Sequence, residues 1–457
     1  MPAAADAPIG GGMDPRLLAK YDRPVPRYTS YPTAPHFSRA VGPDRYAAWL
    51  AALPAGVPAS LYLHIPFCDT LCWFCGCHMR VVNRYSSISA YLELLRREID
   101  LTAEAAGGRP VVRHLHFGGG SPDILKPGDV RALVDHLRSR FAFSDELEFA
   151  VEIDPRAADG PTIAAWAEAG ATRASIGVQD FDPQVQRAIN RLQSFDCTAR
   201  AIESLRAAGI ERINIDLIYG VPHQGVAGIA RTVEQVIALA PDRIALFGYA
   251  HVPALKPHQR LIDERALPGG AERWAQFEAA AGLLQRAGYL WIGLDHFAQP
   301  DDPLAAASAN GELRRNFQGY TTDRCEALIG LGAAAIGALP QGYAQNVVGF
   351  NEYAAALRGG RLPIARGIVL DADDRLRRAI IERLMCDRRI DLATIAGADG
   401  AFGPELDRLA DMAADGMVEV AGSVVAVTGR GRPFLRAVCA VFDRYLVPEA
   451  GRHSRAV

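Results

Sequence analysis

The chain has 457 residues, 49% of them hydrophobic and 22% charged, with a formal net charge of −3, a composition typical of a globular protein with one large and one or two smaller domains. The nearly balanced charge gives no reason to expect nucleic acid as a partner, and no apolar run reaches the roughly 18 residues that a membrane helix needs. Residues 1–13 have neither the basic nor the apolar region of a signal peptide, so we expect a cytoplasmic location.

The N-terminal part is predicted to form an arm. Residues 1–20 are rich in alanine, glycine and proline, and we expect the very start to be loose. The segment Pro26–Ala34 contains two prolines and two tyrosines, which predicts an extended segment that packs on the rest of the chain. A helix is predicted at Asp44–Leu53.

From Ala59 onward, short β-rich runs alternate with helical patterns at intervals of roughly thirty residues, which indicates βαβ units and a parallel sheet. No dinucleotide-type G-x-G-x-x-G follows the first run, which favours a barrel or partial barrel over a doubly wound sheet. The predicted strands are Ser60–Ile65, Val112–Phe117, Leu147–Ile153, Arg173–Val178, Arg212–Ile218 and Arg243–Tyr249. The predicted helices are Ser89–Ala106, Lys126–Phe141, Gly160–Ala169, Asp196–Ala208 and Gly228–Leu239.

The first predicted strand leads into Cys68, Cys72 and Cys75, at the spacing C-x3-C-x2-C, with Cys77 two residues later. A structural zinc site usually takes four ligands, often as C-x2-C pairs, and disulfide frameworks belong to small secreted chains. Three thiolates on one loop can bind three irons of a [4Fe-4S] cluster and leave the fourth iron open. The spacing resembles that of radical S-adenosylmethionine (SAM) enzymes, in which SAM occupies that iron; a zinc loop is the alternative.

Small or polar residues lie near the carboxyl ends of the six predicted strands, where (β/α) barrels carry their active sites. Glycines in this position let the backbone approach a ligand closely, and carboxylates or amides suit the ribose hydroxyls of SAM. The residues concerned are Gly118–Gly120, Ser121, Glu152, Gln179, Asp216 and Tyr249–His251. Phe74, Ala250 and Ile336 are candidates for a wall around adenine, and Arg191 is a candidate for holding a carboxylate.

The second half of the chain is predicted to extend the barrel and then change character. A further strand at Tyr289–Leu294 precedes the small-residue run Gly330–Gly337, which fits close backbone approach to a ligand and close helix packing equally well. After Leu362, the pattern predicts helices and one hairpin that resemble a winged-helix module, with mixed charges that give no indication of DNA binding. These elements are helices at Asp371–Asp387, Pro404–Asp415 and Pro433–Leu446, a hairpin turning at Ala421–Ser423, and a disordered end at Gly451–Val457.

The predicted fold class is therefore α/β. We expect a partial (β/α)6 TIM-like radical SAM barrel, an N-terminal arm, and a mostly helical, winged-helix-like C-terminal domain. The predicted division is 1–58 for the arm and first helix, 59–300 for the barrel, 301–362 for an extension and connection, and 363–457 for the C-terminal domain. The arm and the C-terminal domain are expected to close the barrel mouth.

Nearly the whole chain resembles the bacterial oxygen-independent coproporphyrinogen III oxidases (dehydrogenases) of the radical SAM superfamily. The motifs that carry the resemblance are Tyr62-x-His64-Ile65-Pro66-Phe67-Cys68 with Cys77, Gly118–Gly120, Asp295–Phe297 before Pro300–Asp302, and Arg315–Thr321. The family's glycines are followed by threonine, and Ser121 keeps that hydroxyl.

The resemblance implies two SAM molecules in one site. Cys68, Cys72 and Cys75 would bind the [4Fe-4S] cluster. Cys77, which is not a ligand, would be needed for catalysis, and His64 would lie close to the cluster. The cluster-bound SAM would be lined by Tyr62, Gly119, Glu152 and Ile336. The second SAM would be lined by Phe74, Gly120, Ser121, Gln179, Arg191, Asp216 and Ala250.

The implied reaction is the oxidative decarboxylation of two propionate side chains of coproporphyrinogen III to vinyl groups, which gives protoporphyrinogen IX in anaerobic haem biosynthesis. A 5′-deoxyadenosyl radical made from SAM would remove a hydrogen from each propionate. The resemblance also implies a low-potential electron donor such as flavodoxin or ferredoxin, an electron acceptor that the sequence does not identify, and a monomeric chain. Arg27, Arg315 and Lys256 are candidates for holding the substrate carboxylates.

Three alternatives compete with this interpretation. A haem chaperone built on the same fold would keep the cluster cysteines but tends to lack the equivalents of Cys77 and of the Pro26–Ala34 arm. A radical SAM methyltransferase or haem-degrading relative would not be expected to carry the motifs at Asp295–Asp302 and Arg315–Thr322. A structural iron–sulfur or zinc protein would leave the residues at the strand ends unexplained.

Overall fold

A computed structural model of the chain describes residues 14–108, 110–396 and 402–446. The predicted loose start lies mostly outside these residues, and the predicted disordered end at Gly451–Val457 lies wholly outside them. Within the described ranges, no helix is both long enough and apolar enough to cross a membrane.

Twelve strands of the described chain form one mixed sheet. The strands are β1 (Pro58–Ile65), β2 (Val111–Gly119), β3 (Ala142–Ile153), β4 (Arg173–Gln179), β5 (Arg212–Tyr219), β6 (Arg243–Gly248), β7 (Leu290–Ile292), β8 (His296–Ala298), β9 (Ala327–Leu331), β10 (Ile336–Leu339), β11 (Gly342–Asn346) and β12 (Ile364–Val369). Their order across the sheet is β12-β11-β10-β9-β1-β2-β3-β4-β5-β6-β8-β7.

The six predicted parallel strands are β1 to β6, and each pairs in parallel with the next. Strand β9 adds a seventh parallel strand on the other side of β1, and β10 to β12 continue antiparallel. Alternate residues of the strands face one cavity, including Tyr62 on β1, Glu152 on β3, Asp216 on β5 and Phe247 on β6. Because side chains of a strand alternate between the two faces of a sheet, the sheet must curve around that cavity as a partial barrel.

Helices cover the outer face of the sheet and form most of the C-terminal part. Several begin where the sequence provides a cap: Asp159 accepts a hydrogen bond from the Thr162 amide, and Ser194 accepts one from the Cys197 amide. The helices are α1 (Pro15–Tyr21), α2 (Pro43–Ala51), α3 (Tyr85–Ala106), α4 (Pro127–Arg140), α5 (Gly160–Glu168), α6 (Pro183–Ala188), α7 (Phe195–Ala207), α8 (Val226–Ala238), α9 (Gly270–Arg286), α10 (Pro303–Ala309), α11 (Phe350–Arg358), α12 (Ala372–Asp387), α13 (Leu392–Ala396), α14 (Gly403–Ala414) and α15 (Leu435–Cys439).

Three further pairings complete the described fold. The short strands Phe67–Cys68 and Arg80–Val81 bracket the cysteine loop. Arg314–Asn316 and Gly319–Thr321 form a two-stranded ribbon. In the C-terminal part, Val424–Val427 pairs with both Arg389–Asp391 and Val418–Ala421, so the predicted hairpin is present beside α12, α13 and α14.

The predicted helix at Pro433–Leu446 is wrong. The segment is a 3₁₀ turn at Arg432–Phe434, the short helix α15 and a second 3₁₀ turn at Ala440–Phe442. Residues 433–443 of the segment are buried, and the adjacent Arg432 donates hydrogen bonds to the carbonyl oxygens of Trp291 and Gly293. Contacts with the sheet edge therefore override the local helical preference.

Close helix packing, one of the two interpretations of Gly330–Gly337, is also wrong. The run ends β9, turns, and begins β10. A Cβ on Gly330 would lie 2.7 Å from the carbonyl carbon of Ile336, so the small residue is needed where two strand backbones meet.

The N-terminal arm packs against the end of the chain. The Tyr28 hydroxyl donates to the Asp443 carboxylate at 3.0 Å, and the Tyr31 hydroxyl accepts from the Arg444 amide at 3.1 Å. Arg27 reaches the end of β6, where its guanidinium donates to the Gly248 carbonyl oxygen at 2.9 Å. The arm thus joins the barrel to the C-terminal part.

Candidate active site

The cysteine loop follows β1 and is held by backbone contacts from neighbouring loops. The Trp73 amide donates to the Ile189 carbonyl oxygen at 2.9 Å. From the segment after β6, His258 Nε2 donates to the Cys75 carbonyl oxygen at 2.7 Å and Lys256 Nζ donates to that of Cys77 at 3.2 Å. These contacts fix the loop at the carboxyl end of the barrel strands.

Cys68, Cys72, Cys75 and Cys77 line a cavity of about 170 Å³, named here the cysteine cavity. Around a single tetrahedral zinc, thiolate sulfurs lie about 4 Å apart, since each Zn–S bond is about 2.3 Å. In the described part of the chain, the sulfurs of Cys68, Cys72 and Cys75 do not all lie within 4.8 Å of one another. Three thiol ligands around a space larger than one ion fit a [4Fe-4S] cluster.

The glycines at the end of β2, Gly118–Gly120, allow three groups to approach closely beside this cavity. A Cβ on Gly120 would lie 2.4 Å from the Phe67 carbonyl oxygen, and one on Gly118 would lie 2.6 Å from Oε1 of Glu152. Gly119 has φ +108°, and a Cβ there would lie 2.4 Å from the His64 ring. Only glycine leaves this turn close to the cysteine loop and free of clashes.

A second, larger cavity of about 440 Å³, named here the central cavity, lies inside the barrel. Its volume is within the range of small-molecule sites. Cys77, Gly119, Glu152 and Asp216 line both cavities, which therefore share a wall. Polar side chains from successive strands face the central cavity: Ser60, His114, His116, Glu148, Arg173, Asn214, Arg243 and His296.

Glu152 is the carboxylate closest to the turn of glycines. Its Oε2 accepts from the Gly119 amide at 3.0 Å, and its Oε1 lies 3.2 Å from Nε2 of His116. Burial alone would raise the pKa of Glu152, but the contacts with His116 and the Gly119 amide outweigh burial and lower it. Glu152 is therefore ionised at neutral pH and can accept hydrogen bonds from a ligand.

His64 uses both ring nitrogens within the protein. Its Nε2 lies 2.8 Å from the His78 carbonyl oxygen and must donate to it, so Nδ1 accepts from the Tyr62 hydroxyl at 2.9 Å. Burial lowers the pKa of His64, which keeps the ring neutral in this arrangement. The geometry makes His64 a group that positions the chain beside Cys77.

Asp216 and Arg191 face the cavities from β5 and from the loop after α6. Burial, reinforced by the charge of Glu152, raises the pKa of Asp216 to about 6, although Asn214 donates to it at 2.8 Å. Arg191 is buried and donates to the Gly177 carbonyl oxygen at 2.6 Å, with Asp154 at 3.3 Å. Arg191 is thus oriented by backbone and carboxylate, with its Nε lacking a hydrogen-bond partner among the described residues.

The predicted site residues lie around the two cavities, and Gly119, Glu152 and Asp216 line both. Tyr62, His64, Gly119, Glu152 and Ile336 line the central cavity. Phe74, Gly120, Ser121, Gln179, Arg191 and Asp216 line the cysteine cavity. Ala250 lines neither, although Gln259 bridges it to the loop by donating to the carbonyl oxygens of Phe74 and Ala250.

Several groups beside the cysteines were not identified from the sequence. Arg156 forms an ion pair with Asp154 at 2.6 Å and lies 3.6 Å from the Cys72 sulfur. His116, Ser175 and Asn214 also face the cavities. His116 and Asn214 lie two residues before Gly118 and Asp216, and Ser175 lies four residues before Gln179, so the two-residue period of the strands was the signal that could have found these three.

Comparison with known proteins agrees with this geometry. Residues 62–236 match the model of the Radical SAM superfamily, and residues 370–434 match that of the HemN C-terminal domain. The chain is 52% identical over 437 residues to the oxygen-independent coproporphyrinogen III oxidase of Bradyrhizobium diazoefficiens, covering 95% of this chain and 97% of the relative. It is 39% identical to the enzyme of that name in Escherichia coli, covering 96% of each chain.

A solved structure of coproporphyrinogen III oxidase (HemN) from Escherichia coli, described as a radical SAM enzyme, superimposes with a TM-score of 0.89. The two chains are 38% identical, and the match covers 95% of this chain and 99% of that one. The similarity therefore includes the arm, the barrel and the C-terminal part.

Proposed function

Because this chain belongs to the oxygen-independent coproporphyrinogen III oxidase family, radical SAM enzymes of haem biosynthesis, we propose that it decarboxylates two propionate side chains of coproporphyrinogen III with two SAM molecules bound in adjoining cavities. Membership of the superfamily implies a [4Fe-4S] cluster and SAM as cofactors. What we propose beyond this is the number of SAM molecules, the role of each residue and the course of the reaction.

The observation that carries the proposal is that the site residues line two adjoining cavities, with Gly119, Glu152 and Asp216 on the wall common to both. The set expected for a cluster-bound SAM (Tyr62, Gly119, Glu152 and Ile336) lines the central cavity. All but Ala250 of the set expected for a second SAM line the cysteine cavity. Two ligand-binding spaces that share a wall support two SAM molecules held side by side.

In this proposal Cys68, Cys72 and Cys75 hold the cluster, and Cys77 stands where the two cavities meet. When bound there, the cluster and SAM would supply the carbon radical needed to remove a hydrogen atom from a substrate. Cys77 is exposed to both cavities, so its thiol can reach a group in either one. His64 keeps the segment after Cys77 in place through the His78 carbonyl oxygen.

For each propionate, one hydrogen atom leaves the carbon next to the ring, and carbon dioxide and one electron follow, which leaves a vinyl group. The protein binds, orients and shields the reacting groups from water. Glu152, ionised at neutral pH, and Asp216 offer carboxylate oxygens to ribose hydroxyls. The glycines Gly118–Gly120 let the backbone approach the bound cofactor closely. A low-potential protein such as flavodoxin or ferredoxin is proposed as the electron donor.

The number of SAM molecules bound provides a direct test. Anaerobic protein with a reconstituted cluster is titrated with SAM by equilibrium dialysis, without reductant. We expect two SAM molecules per chain, and one in Gln179→Ala, because Gln179 lines only the cysteine cavity. The exposed substitution Gln184→Ala on α6 serves as the control and should keep two. Wild-type protein that binds a single SAM would refute the two-cofactor arrangement.

A further inference from the structure

A third cavity lies at the carboxyl end of β6, the end of the sheet that also carries the cysteine loop. It has a volume of about 50 Å³ and is bounded by Gly248, by α9, by the ribbon, by the N-terminal arm and by α15. Four arginines from these segments line it: Arg27, Arg273, Arg315 and Arg436. We name this space the arginine cavity.

The arginine cavity carries an excess of positive charge. Of the described residues that line it, Asp295 is the single carboxylate beside four guanidinium groups. Asp295 is also bound by His296, whose Nδ1 lies 2.8 Å from Oδ1. Burial would raise the pKa of Asp295, but Arg315, His296 and Arg27 lower it to about 2, so it neutralises one positive charge at most.

The guanidinium groups of Arg27 and Arg273 contact backbone carbonyl oxygens, and those of Arg273 and Arg315 also lie over the rings of Tyr219 and Tyr320, none of which carries a full negative charge. Arg27 donates to Gly248 at 2.9 Å, and Arg273 Nη1 lies 3.5 Å from the Gly220 carbonyl oxygen. The Arg315 side chain is 4% exposed, and its Nε and Nη1 make no hydrogen bond within the described ranges. The nearby Asp295 Oδ1 lies 3.9 Å from Nη1, too far for a hydrogen bond.

Buried donors without partners and buried like charges are both costly, so an anion should be favoured in this space. The planar guanidinium binds a carboxylate through two parallel hydrogen bonds. A volume of about 50 Å³ has room for one carboxylate group but not for a tetrapyrrole ring. The chemistry of the cavity thus matches the end of a carboxylate side chain.

The arginine cavity is separated from the central cavity by a wall one residue thick. Asp295 lines the arginine cavity, and the next residue, His296, lines the central cavity. Likewise, Arg315 lines the arginine cavity and the next residue, Asn316, lines the central cavity. The arginine cavity lies at the end of the strands that carries the cysteine loop, and the central cavity extends from that end into the barrel.

We propose that the arginine cavity binds a carboxylate, namely a propionate side chain of the tetracarboxylate substrate that is not the one reacting. The identity of this ligand rests on the function proposed above. Since Arg27 belongs to the N-terminal arm and Arg436 to α15, the bound carboxylate would also hold the arm and the C-terminal part against the barrel. The reacting propionate stays beside Cys77 in the central cavity.

The test measures binding of coproporphyrinogen III by anaerobic calorimetry to the full chain with cluster and SAM, without reductant. Arg273→Gln should raise the dissociation constant at least about tenfold, the loss expected for a charge-assisted hydrogen bond. Arg27→Gln, on the exposed arm, should act in the same direction and guards against a folding defect in the first variant. Arg265→Gln, at an arginine whose side chain is 91% exposed, is the charge-matched control and should change binding less than twofold.

Two further measurements identify the ligand. During turnover, Arg273→Gln should raise KM and leave kcat within about threefold, because the reacting propionate keeps its place. Sodium propionate and inorganic phosphate are added separately to find whether a small anion occupies the cavity. If these ions stabilise wild-type protein but not Arg273→Gln, while substrate affinity is the same in both, the site takes a free anion and the assignment to the substrate is overturned.

Unchanged substrate affinity in both Arg273→Gln and Arg27→Gln would also overturn the proposal. This outcome can be distinguished from failure of the proposed function. Wild-type protein that neither binds nor converts coproporphyrinogen III refutes the function, whereas normal wild-type turnover with unaffected variants refutes the carboxylate site alone.

Discussion

Gly120→Ala should push the start of the cysteine loop away from the turn formed by Gly118–Gly120. The added Cβ would lie 2.4 Å from the Phe67 carbonyl oxygen, 2.7 Å from the Phe67 nitrogen and 2.9 Å from the Ile65 carbonyl oxygen. Ordinary C···O contacts are about 3.3 Å or more, so the backbone must move by about 1 Å. That movement weakens the hydrogen bonds from the Gly120 amide to Ile65 at 2.9 Å and from the Ser121 amide to Phe67 at 2.8 Å.

A shift of about 1 Å in a positioned reacting group can cost about a hundredfold in rate, and overpacking of this kind costs about 1–3 kcal/mol of stability. We therefore expect kcat/KM for protoporphyrinogen formation to fall about a hundredfold. The melting temperature should fall by a few degrees, and the three cysteines proposed to bind the cluster are unchanged by the substitution. Gly128→Ala, near the start of α4 with no atom within 4 Å of its Cβ, is the matched control and should behave as wild type. Activity of Gly120→Ala within threefold of wild type would refute the reasoning.

Three further predictions concern single side chains. Cys77→Ser should keep the absorbance of the [4Fe-4S] cluster and lose turnover at least about a hundredfold; loss of the cluster spectrum would show that Cys77 is a ligand. Since burial raises the pKa of Asp216 to about 6, KM for SAM should rise up to about tenfold per pH unit below 6. In Asp216→Asn, KM for SAM should not change with pH in this range. A rise in KM at low pH that persists in the variant would rule out Asp216 as its cause. The same raised pKa means that Asp216 stabilises the fold most at low pH and that this contribution is lost as pH rises towards 6. Buried Glu98 accepts hydrogen bonds from the Gly332 amide at 2.8 Å, Asn346 at 2.5 Å and Tyr353 at 2.5 Å. Glu98→Ala should therefore lower the free energy of unfolding by about 3 kcal/mol or more and weaken SAM binding at the turn before Ile336. An unchanged melting temperature in calorimetry would contradict this.

The parallel strands could be predicted because their positions along the chain follow from local composition. Strands β1 to β6 recur at regular intervals with helices between them, and their carboxyl ends carry the small and polar residues that form the site. The start of β3 at Ala142 was missed by five residues because its first half, up to Glu146, is largely exposed and lacks an apolar signal. The antiparallel strands β10 to β12 depend on pairing between segments that the local pattern does not relate.

The failure at Pro433–Leu446 has a different physical origin. A mostly apolar run that is buried from residue 433 to residue 443 gives no clear amphipathic period, so its length alone suggested a helix. The segment does not form one continuous helix, because Arg432 donates to the Gly293 carbonyl oxygen at the sheet edge and because the residues after Arg432 fill the core. The motif Asp295–Asp302 shows the same limit: buried Asp302 binds Arg243 at 2.8 and 2.9 Å, a contact that only the folded sheet creates.

The site was predictable to the extent that one loop and several strand ends carry it. The cysteine spacing and the glycines belong to short segments, so the sequence alone indicates their role. The sequence identified Arg27 and Arg315 as candidates for the substrate carboxylates. It did not predict the arginine cavity, since Arg273 and Arg436 come from distant segments and each is an ordinary arginine in its local sequence.

The central claim is the decarboxylation of coproporphyrinogen III, and one anaerobic turnover measurement tests it most directly. Protein with a reconstituted cluster is mixed with SAM, a low-potential reductant, an electron acceptor and coproporphyrinogen III, and the products are separated after oxidation. We expect protoporphyrin together with 5′-deoxyadenosine, and neither product in Cys77→Ser. A cluster that cleaves SAM while coproporphyrinogen III stays unchanged would contradict the account, as would tight haem binding with neither product.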